Sequence, residues 1–213
     1  MTDKISELIV KIRLLQEEME QEFRHNRESF HFVIEKKRIR FSEEVARQQR
    51  HFKTGLFRYL RRARVLNLLT APIIYSGIIP LLLLDLFLWI YQRLCFPIYG
   101  ISRVRRADYL LFDRTDLPYL NLIEKLNCGY CSYGNGLAAY FREVAARTEQ
   151  YWCPIKHARR IRAAHDHYPQ FFEYGDAESY RQGLLRYRQE LEEANSEHHE
   201  EGGGETAQHR DLR

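Results

Sequence analysis

Between Lys4 and Arg50 this chain of 213 residues has neither glycine nor proline. Nothing there forces the backbone out of a helix, and Ile5, Leu8, Ile12, Leu15 and Met19 recur at spacings of three and four, the seam of a heptad. Cysteine is scarce: four residues, three of them in one short window, do not make the framework of a secreted disulfide protein, so a reducing compartment is expected. The short apolar core of a signal peptide is missing, since Met1, Thr2, Asp3 and Lys4 lead into a charged helical pattern, and the N-terminus is expected to be retained. There is no P-loop and no dinucleotide-binding glycine fingerprint after a strand, and Ser132 lacks the context of a nucleophile elbow. Hydrolase and nucleotide chemistry therefore have no positive signal. Charge is most conspicuously lacking from Val65 to Ile90, where Asp85 is the only ionisable acid or base of the Asp, Glu, Lys and Arg type.

What is present follows from these gaps. After Met19 the heptad seam shifts and continues through Phe23, Phe30, Val33, Ile34, Phe41, Val45 and Phe52, which predicts one long helix over residues 1–54. A helix of that length gains stability by pairing, so a homo-oligomer held by the N-terminal helix is the expectation. Gly55 ends it, and Leu56 to Arg64 mixes aromatics with arginines as an interfacial segment does. The apolar run to Ile101 is long enough to enter a bilayer, whose core of about 30 Å takes roughly twenty helical residues. Residues 55–101 are thus read as an interfacial and membrane-embedded segment, with the lipid bilayer as partner. Arg58, Arg61, Arg62 and Arg64 precede the run, and Arg93, Arg103, Arg105 and Arg106 accompany its far end. Basic flanks on both sides, with Pro72, Gly77 and Pro80 as breaks, favour a re-entrant hairpin bent between Pro80 and Asp85, both ends in the cytoplasm, over a single crossing. A net charge of +4, with bases alternating with acids elsewhere, does not describe a nucleic-acid groove. At Asp85, a bend or interface reached by water or Tyr75 is expected to relieve the cost of an acid at membrane depth.

The chemistry-bearing residues gather between Asn127 and His157. Cys128 and Cys131 form a Cys-x-x-Cys, and Cys153 and His157 form a Cys-x-x-x-His. Gly129 and Gly134 would let one loop aim two thiolates at an ion, while Pro154 would start a new helix that returns His157 toward them. The four side chains are a complete Cys3His set, which implies a zinc ion or, alternatively, an iron-sulfur cluster. The Cys-x-x-x-His step is similar to that of the CDGSH iron-sulfur proteins, whose other motif residues are missing. A redox dithiol at Cys128 and Cys131 is the other reading, although the preceding Trp and the βαβ pattern of thioredoxin are absent. His165 and His167 read as solvated or capped, and Glu143 with Arg147 as an i,i+4 pair on a helix from Leu137 to Trp152.

The segments Tyr130-Cys131-Ser132-Tyr133-Gly134-Asn135-Gly136-Leu137 and Arg147-Thr148-Glu149-Gln150-Tyr151-Trp152-Cys153-Pro154-Ile155-Lys156-His157 resemble those of a family of uncharacterised bacterial membrane proteins. That resemblance implies a bacterial membrane protein and brings no activity with it. The expected fold class is all-α: a long coiled-coil-like helix (1–54), the membrane-embedded segment (55–101), a small helical Cys/His domain (102–193) and a disordered tail (194–213). The expected function is a membrane-anchored interaction or sensor module of the inner membrane, its Cys/His domain facing the cytoplasm. The alternative is a membrane-bound thiol or iron-sulfur oxidoreductase.

Overall fold

The computed structural model describes residues 3–28, 32–35, 38–62, 64–162 and 164–208. The protein is mostly helical. Its elements in chain order are α1 (Asp3–Glu28), β1 (Phe32–Glu35), β2 (Arg38–Phe41), α2 (Glu43–Arg50), α3 (Leu56–Arg62), α4 (Val65–Ser76), α5 (Ile78–Ile98), α6 (Leu122–Trp152) and α7 (Ala177–Gln208). Short 3-10 turns lie at Arg106–Asp108, Asp113–Asp116 and Tyr168–Gln170. The chain divides into two compact units, Met1–Val65 with Phe112–Gly129 and Leu66–Leu111 with Tyr130–Arg213.

In the first unit the single long helix expected over residues 1–54 is replaced by α1, an antiparallel hairpin and α2. The strands pair Phe32 with Phe41, Val33 with Arg40, Ile34 with Ile39 and Glu35 with Arg38. Absence of glycine and proline permits a helix but does not compel one. The β-branched Val33, Ile34 and Ile39, together with two aromatics, favour an extended ladder locally. Helix α2 begins where Ser42 Oγ accepts the Val45 N–H at 3.4 Å, with Glu43 and Glu44 in its first turn and Arg47 and Arg50 in its last, each matched to the helix dipole. Phe30, part of the expected seam, lies outside the described residues.

Helix α6 starts later than the Asp116 and Pro118 signals suggest, because Asn121 and Glu124 form a reciprocal cap. Asn121 Oδ1 accepts the Glu124 N–H at 3.0 Å and Glu124 Oε2 accepts the Asn121 N–H at 2.8 Å. It then runs unbroken to Trp152 through Asn127, Gly129, Gly134 and Gly136. Each helical glycine costs about 1 kcal/mol relative to alanine. Packing offsets that cost: Leu137, Tyr140, Val144 and Ala146 are buried along the helix. Gly136 is where the chain 109–110 approaches, since a Cβ there would lie 2.6 Å from the Tyr109 carbonyl oxygen.

The core of the second unit joins Leu88 and Phe96 of α5 to Val104, Leu110, Leu137, Tyr140 and Val144, with Leu81, Leu84 and Tyr91 packed around them. Val65–Ile98 is a helical run of 34 residues, long and apolar enough to cross a membrane. Its only discontinuity is the turn at Gly77, so the bend expected between Pro80 and Asp85 is not there. Pro80 stands in the first turn of α5, where a backbone N–H would have no intrahelical acceptor, and its ring is accommodated without a break. At the other end, α7 continues past Asn195 to Gln208, so the tail expected to lack structure from residue 194 is helical that far; residues 209–213 lie outside the described residues.

Candidate functional site

Helix α5 carries two polar positions seven residues apart, Asp85 and Gln92, and both face the chain's own polar groups. Asp85 holds Arg106 in a two-pronged ion pair, with Nε at 2.9 Å from Oδ1 and Nη2 at 2.6 Å from Oδ2. Tyr133 Oη donates to the same Oδ2 at 2.9 Å. Asp85 thus sits at an interface, one of the two placements expected for this acid, and the groups that reach it there are Arg106 and Tyr133. Two helical turns further, the Gln92 Oε1 accepts the Val104 N–H at 2.7 Å and its Nε2 donates to Tyr140 Oη, all within the buried core. Tyr91 Oη and Thr148 Oγ1 lie 3.1 Å apart one position away.

The surface of α5 that turns away from this spine is apolar except for Arg93, whose guanidinium lies over the Trp89 ring at 5.7 Å. Ile79, Leu82, Leu83, Leu86, Phe87, Trp89, Ile90, Leu94 and Ile98 are all exposed. In α4 the hydroxyls turn back on their own helix: Thr70 Oγ1 donates to the Leu66 carbonyl at 3.1 Å and Ser76 Oγ to the Ile73 carbonyl at 2.7 Å. Such bonds satisfy the hydroxyls within the helix itself.

A second polar group sits on α6. Arg147 Nε donates to Glu143 Oε1 at 2.7 Å, as the i,i+4 spacing predicts, and its Nη1 ties Ser102 through the carbonyl at 2.9 Å and Oγ at 2.8 Å. His167 Nε2 lies 3.3 Å from Glu143 Oε1, and His165 Nε2 lies 3.1 Å from Glu149 Oε2. The two histidines, read from sequence as solvated or capped, are paired with carboxylates and draw the segment after α6 back onto it.

The hydrogen bond with His167 comes first and, against the opposing effect of burial, Arg147 second, in holding the Glu143 carboxyl down to about 2 from an ordinary 4.5. A depressed carboxyl contributes stability that is fully present above its unfolded value and is lost as pH falls through the folded one. Acid titration is therefore expected to remove up to about 3 kcal/mol between pH 4.5 and 2. Thermal melts across that range should show the loss in the native chain, and Glu143→Gln should flatten that part of the profile. An unchanged profile in the variant would mean that other carboxylates carry the acid lability.

The four expected metal ligands are not brought together. Cys128 and Cys131 lie inside α6, in no loop, while Cys153 follows its last residue, separated from Cys131 by roughly 30 Å of helix. Pro154 does not open a helix. Residues 153–157 are extended, with a parallel bridge between Ile155 and Phe172, a Phe172 N–H bond to the Pro154 carbonyl at 2.7 Å and a Lys156 N–H bond to the Phe172 carbonyl at 2.8 Å. His157 is exposed, stacked on Tyr168, and its N–H donates to Tyr168 Oη at 2.7 Å. The loop and the returning helix on which the Cys3His geometry depended are both replaced, because packing carries α6 through its glycines and a strand-like pairing captures the segment after it. Among the described residues no three His, Cys, Asp or Glu side chains are grouped as a metal site.

Sequence reasoning missed Gln92, Arg106, Tyr133 and Tyr140. The signal was the seven-residue step from Asp85 to Gln92, which places both on one helical face with Leu81, Leu84, Leu88 and Phe96. Comparison with known proteins finds no matching family model, no matching curated protein and no matching solved structure.

Proposed function

We propose that the protein is a membrane-anchored interaction module, embedded through α4 and α5 in the cytoplasmic leaflet of the cell (inner) membrane, with its Cys-bearing helical part on the cytoplasmic side. The observation that carries this reading is the division of α5 into two halves. One half of its circumference is exposed from Ile79 to Ile98 and apolar but for Arg93, which covers Trp89 near the basic end of the helix, and the other holds Asp85 and Gln92 against Arg106, Tyr133, Tyr140 and the Val104 N–H. A water-exposed helix has no reason to present so continuous an apolar face, and a helix surrounded by lipid could not present the polar one. Embedding along the membrane plane satisfies both and places Arg58, Arg61 and Arg64 on the same side as Arg103, Arg105 and Arg106, as basic flanks prefer. Tyr99 and Tyr151, stacked at 5.3 Å, and Trp152, edge-on to both, suit the headgroup level near the end of α5. The zinc or iron-sulfur centre does not enter this proposal, because α6 sets Cys153 roughly 30 Å from Cys131, and no further observation favours the thiol oxidoreductase alternative at Cys128 and Cys131.

Protease accessibility in sealed membrane vesicles of known orientation tests it. Cleavage both before Val65 and after Ile98 from the cytoplasmic side alone is the expected result. Cleavage of the two flanks from opposite sides would replace in-plane embedding by a crossing. Recovery of the native chain in the supernatant after alkaline carbonate would overturn membrane anchoring altogether. Leu82→Lys with Leu83→Lys and Leu86→Lys should release the chain, since each lysine costs about 2.5–3.5 kcal/mol at full membrane depth and less near the surface.

A further inference from the structure

Helix α1 carries an apolar stripe that stays exposed among the described residues: Leu8, Ile12, Leu15 and Met19 each keep more than half of their surface open to solvent. We propose that this stripe is covered by α1 of a second copy of the chain, running antiparallel. The heptad positions decide both the partner and its direction.

With Leu8 and Leu15 at d and Ile12 and Met19 at a, the facing positions of an antiparallel pair alternate a with d. Leu8 then packs opposite Met19 of the other copy and Ile12 opposite its Leu15. Two-fold symmetry repeats both contacts, giving four apolar layers over a stretch of about 17 Å. At the flanking g positions the same register sets Lys11 opposite Glu18 of the other copy, twice. All of these residues are exposed in α1 and have their side chains available for the contact.

A parallel pair uses the same stripe and gains nothing from charge. It would set Lys11 against Gln16 and Glu18 against Phe23, and it would bring the two copies' Glu22 side chains together at a d layer, where like charges repel. Antiparallel pairing moves Glu22 to the end of the seam, opposite Ile5 of the other copy, where its carboxylate can turn to water and lies away from its counterpart. A lipid surface is a poorer cover, because acids outnumber bases on α1 and an anionic leaflet repels them. The copy of the chain itself is the one partner whose apolar spacing and charges both match.

The test uses the full-length protein in detergent micelles. Isotopically light and heavy chains are mixed, treated with a zero-length carbodiimide cross-linker and digested for mass spectrometry. The expected product joins Lys11 of a light chain to Glu18 of a heavy one, in a species of twice the monomer mass by light scattering. Glu18→Lys should weaken the dimer about tenfold by reversing two pairs at once, and Lys11→Glu with Glu18→Lys in the same chain should restore it. The proposal falls if the chain is monomeric at all concentrations, or if the mixed-isotope cross-link is absent while a dimer forms. It falls equally if Glu18→Lys leaves association unchanged, or if the stripe becomes protected only when vesicles are added.

Discussion

Replacing Gln92 by leucine is expected to destabilise the protein by about 2–3 kcal/mol, although leucine is the more apolar residue and α5 is an apolar helix. The carboxamide is buried at 4% exposure and serves two groups from different segments, accepting from the Val104 N–H and donating to Tyr140 Oη. Leucine fills a similar volume but meets neither. A buried polar group left without a partner costs about 1–3 kcal/mol, and here there are two, a peptide N–H that loses its acceptor and a phenol oxygen that loses its donor. The gain from removing a polar group from α5 offsets only part of that. Tyr140→Phe removes one of the two dependants and should cost less, about 1 kcal/mol. The double variant should be less harmful than the sum, with a coupling of about 1 kcal/mol in a thermodynamic cycle. Denaturation of the micelle-bound protein measures all three. Additive losses would show that Gln92 is a space-filling residue and that the spine is not held through its amide.

Arg106→Ala should be the second large effect, again about 2–3 kcal/mol. The reason is asymmetric. Arg106 is 46% exposed in its side chain and can do without a partner, whereas Asp85 is 16% exposed and is the only acid on α5, eight residues before the helix's other charge, Arg93. Taking the guanidinium away leaves the carboxylate with Tyr133 alone. Breaking a fully buried pair costs about 3–5 kcal/mol, and the arginine's exposure lowers the figure here. Asp85→Asn combined with Arg106→Ala should recover most of the loss, because it removes the stranded charge. Stability in micelles and the fraction of chain recovered in membranes should follow the same order. If Arg106→Ala behaves as the double variant does, the pair is a surface contact and α5 does not depend on it.

These two side chains also mark how far reading the sequence could go. The apolar run was legible because twenty or more uncharged residues in sequence have few alternatives, and a helix satisfies their backbone groups within the segment itself. The pair Glu143 with Arg147 was legible because a helix places i and i+4 side by side wherever it occurs. The Cys3His site was a different kind of inference. It required Gly129 and Gly134 to turn the chain, and glycine allows a turn without demanding one. In α6 those glycines stay helical: no positive φ is found at either. Gly77 illustrates the other use of the residue, since a Cβ there would lie 2.7 Å from Tyr130 Oη, which donates to the Ile74 carbonyl at 2.6 Å.

Local composition determined by itself that the chain is helical for most of its length, that the run from Val65 is long and apolar enough to cross a membrane, and that α1 carries a heptad stripe. Each depends on a periodicity or an absence confined to neighbouring residues. Tertiary structure alone decided which polar groups meet, with Arg106 and Tyr133 on Asp85 and Tyr140 on Gln92 reaching across 21 to 48 residues of chain. It also decided that Cys131 and Cys153 stay apart, because whether a glycine bends or packs depends on what approaches it, and that neighbour lies elsewhere in the sequence.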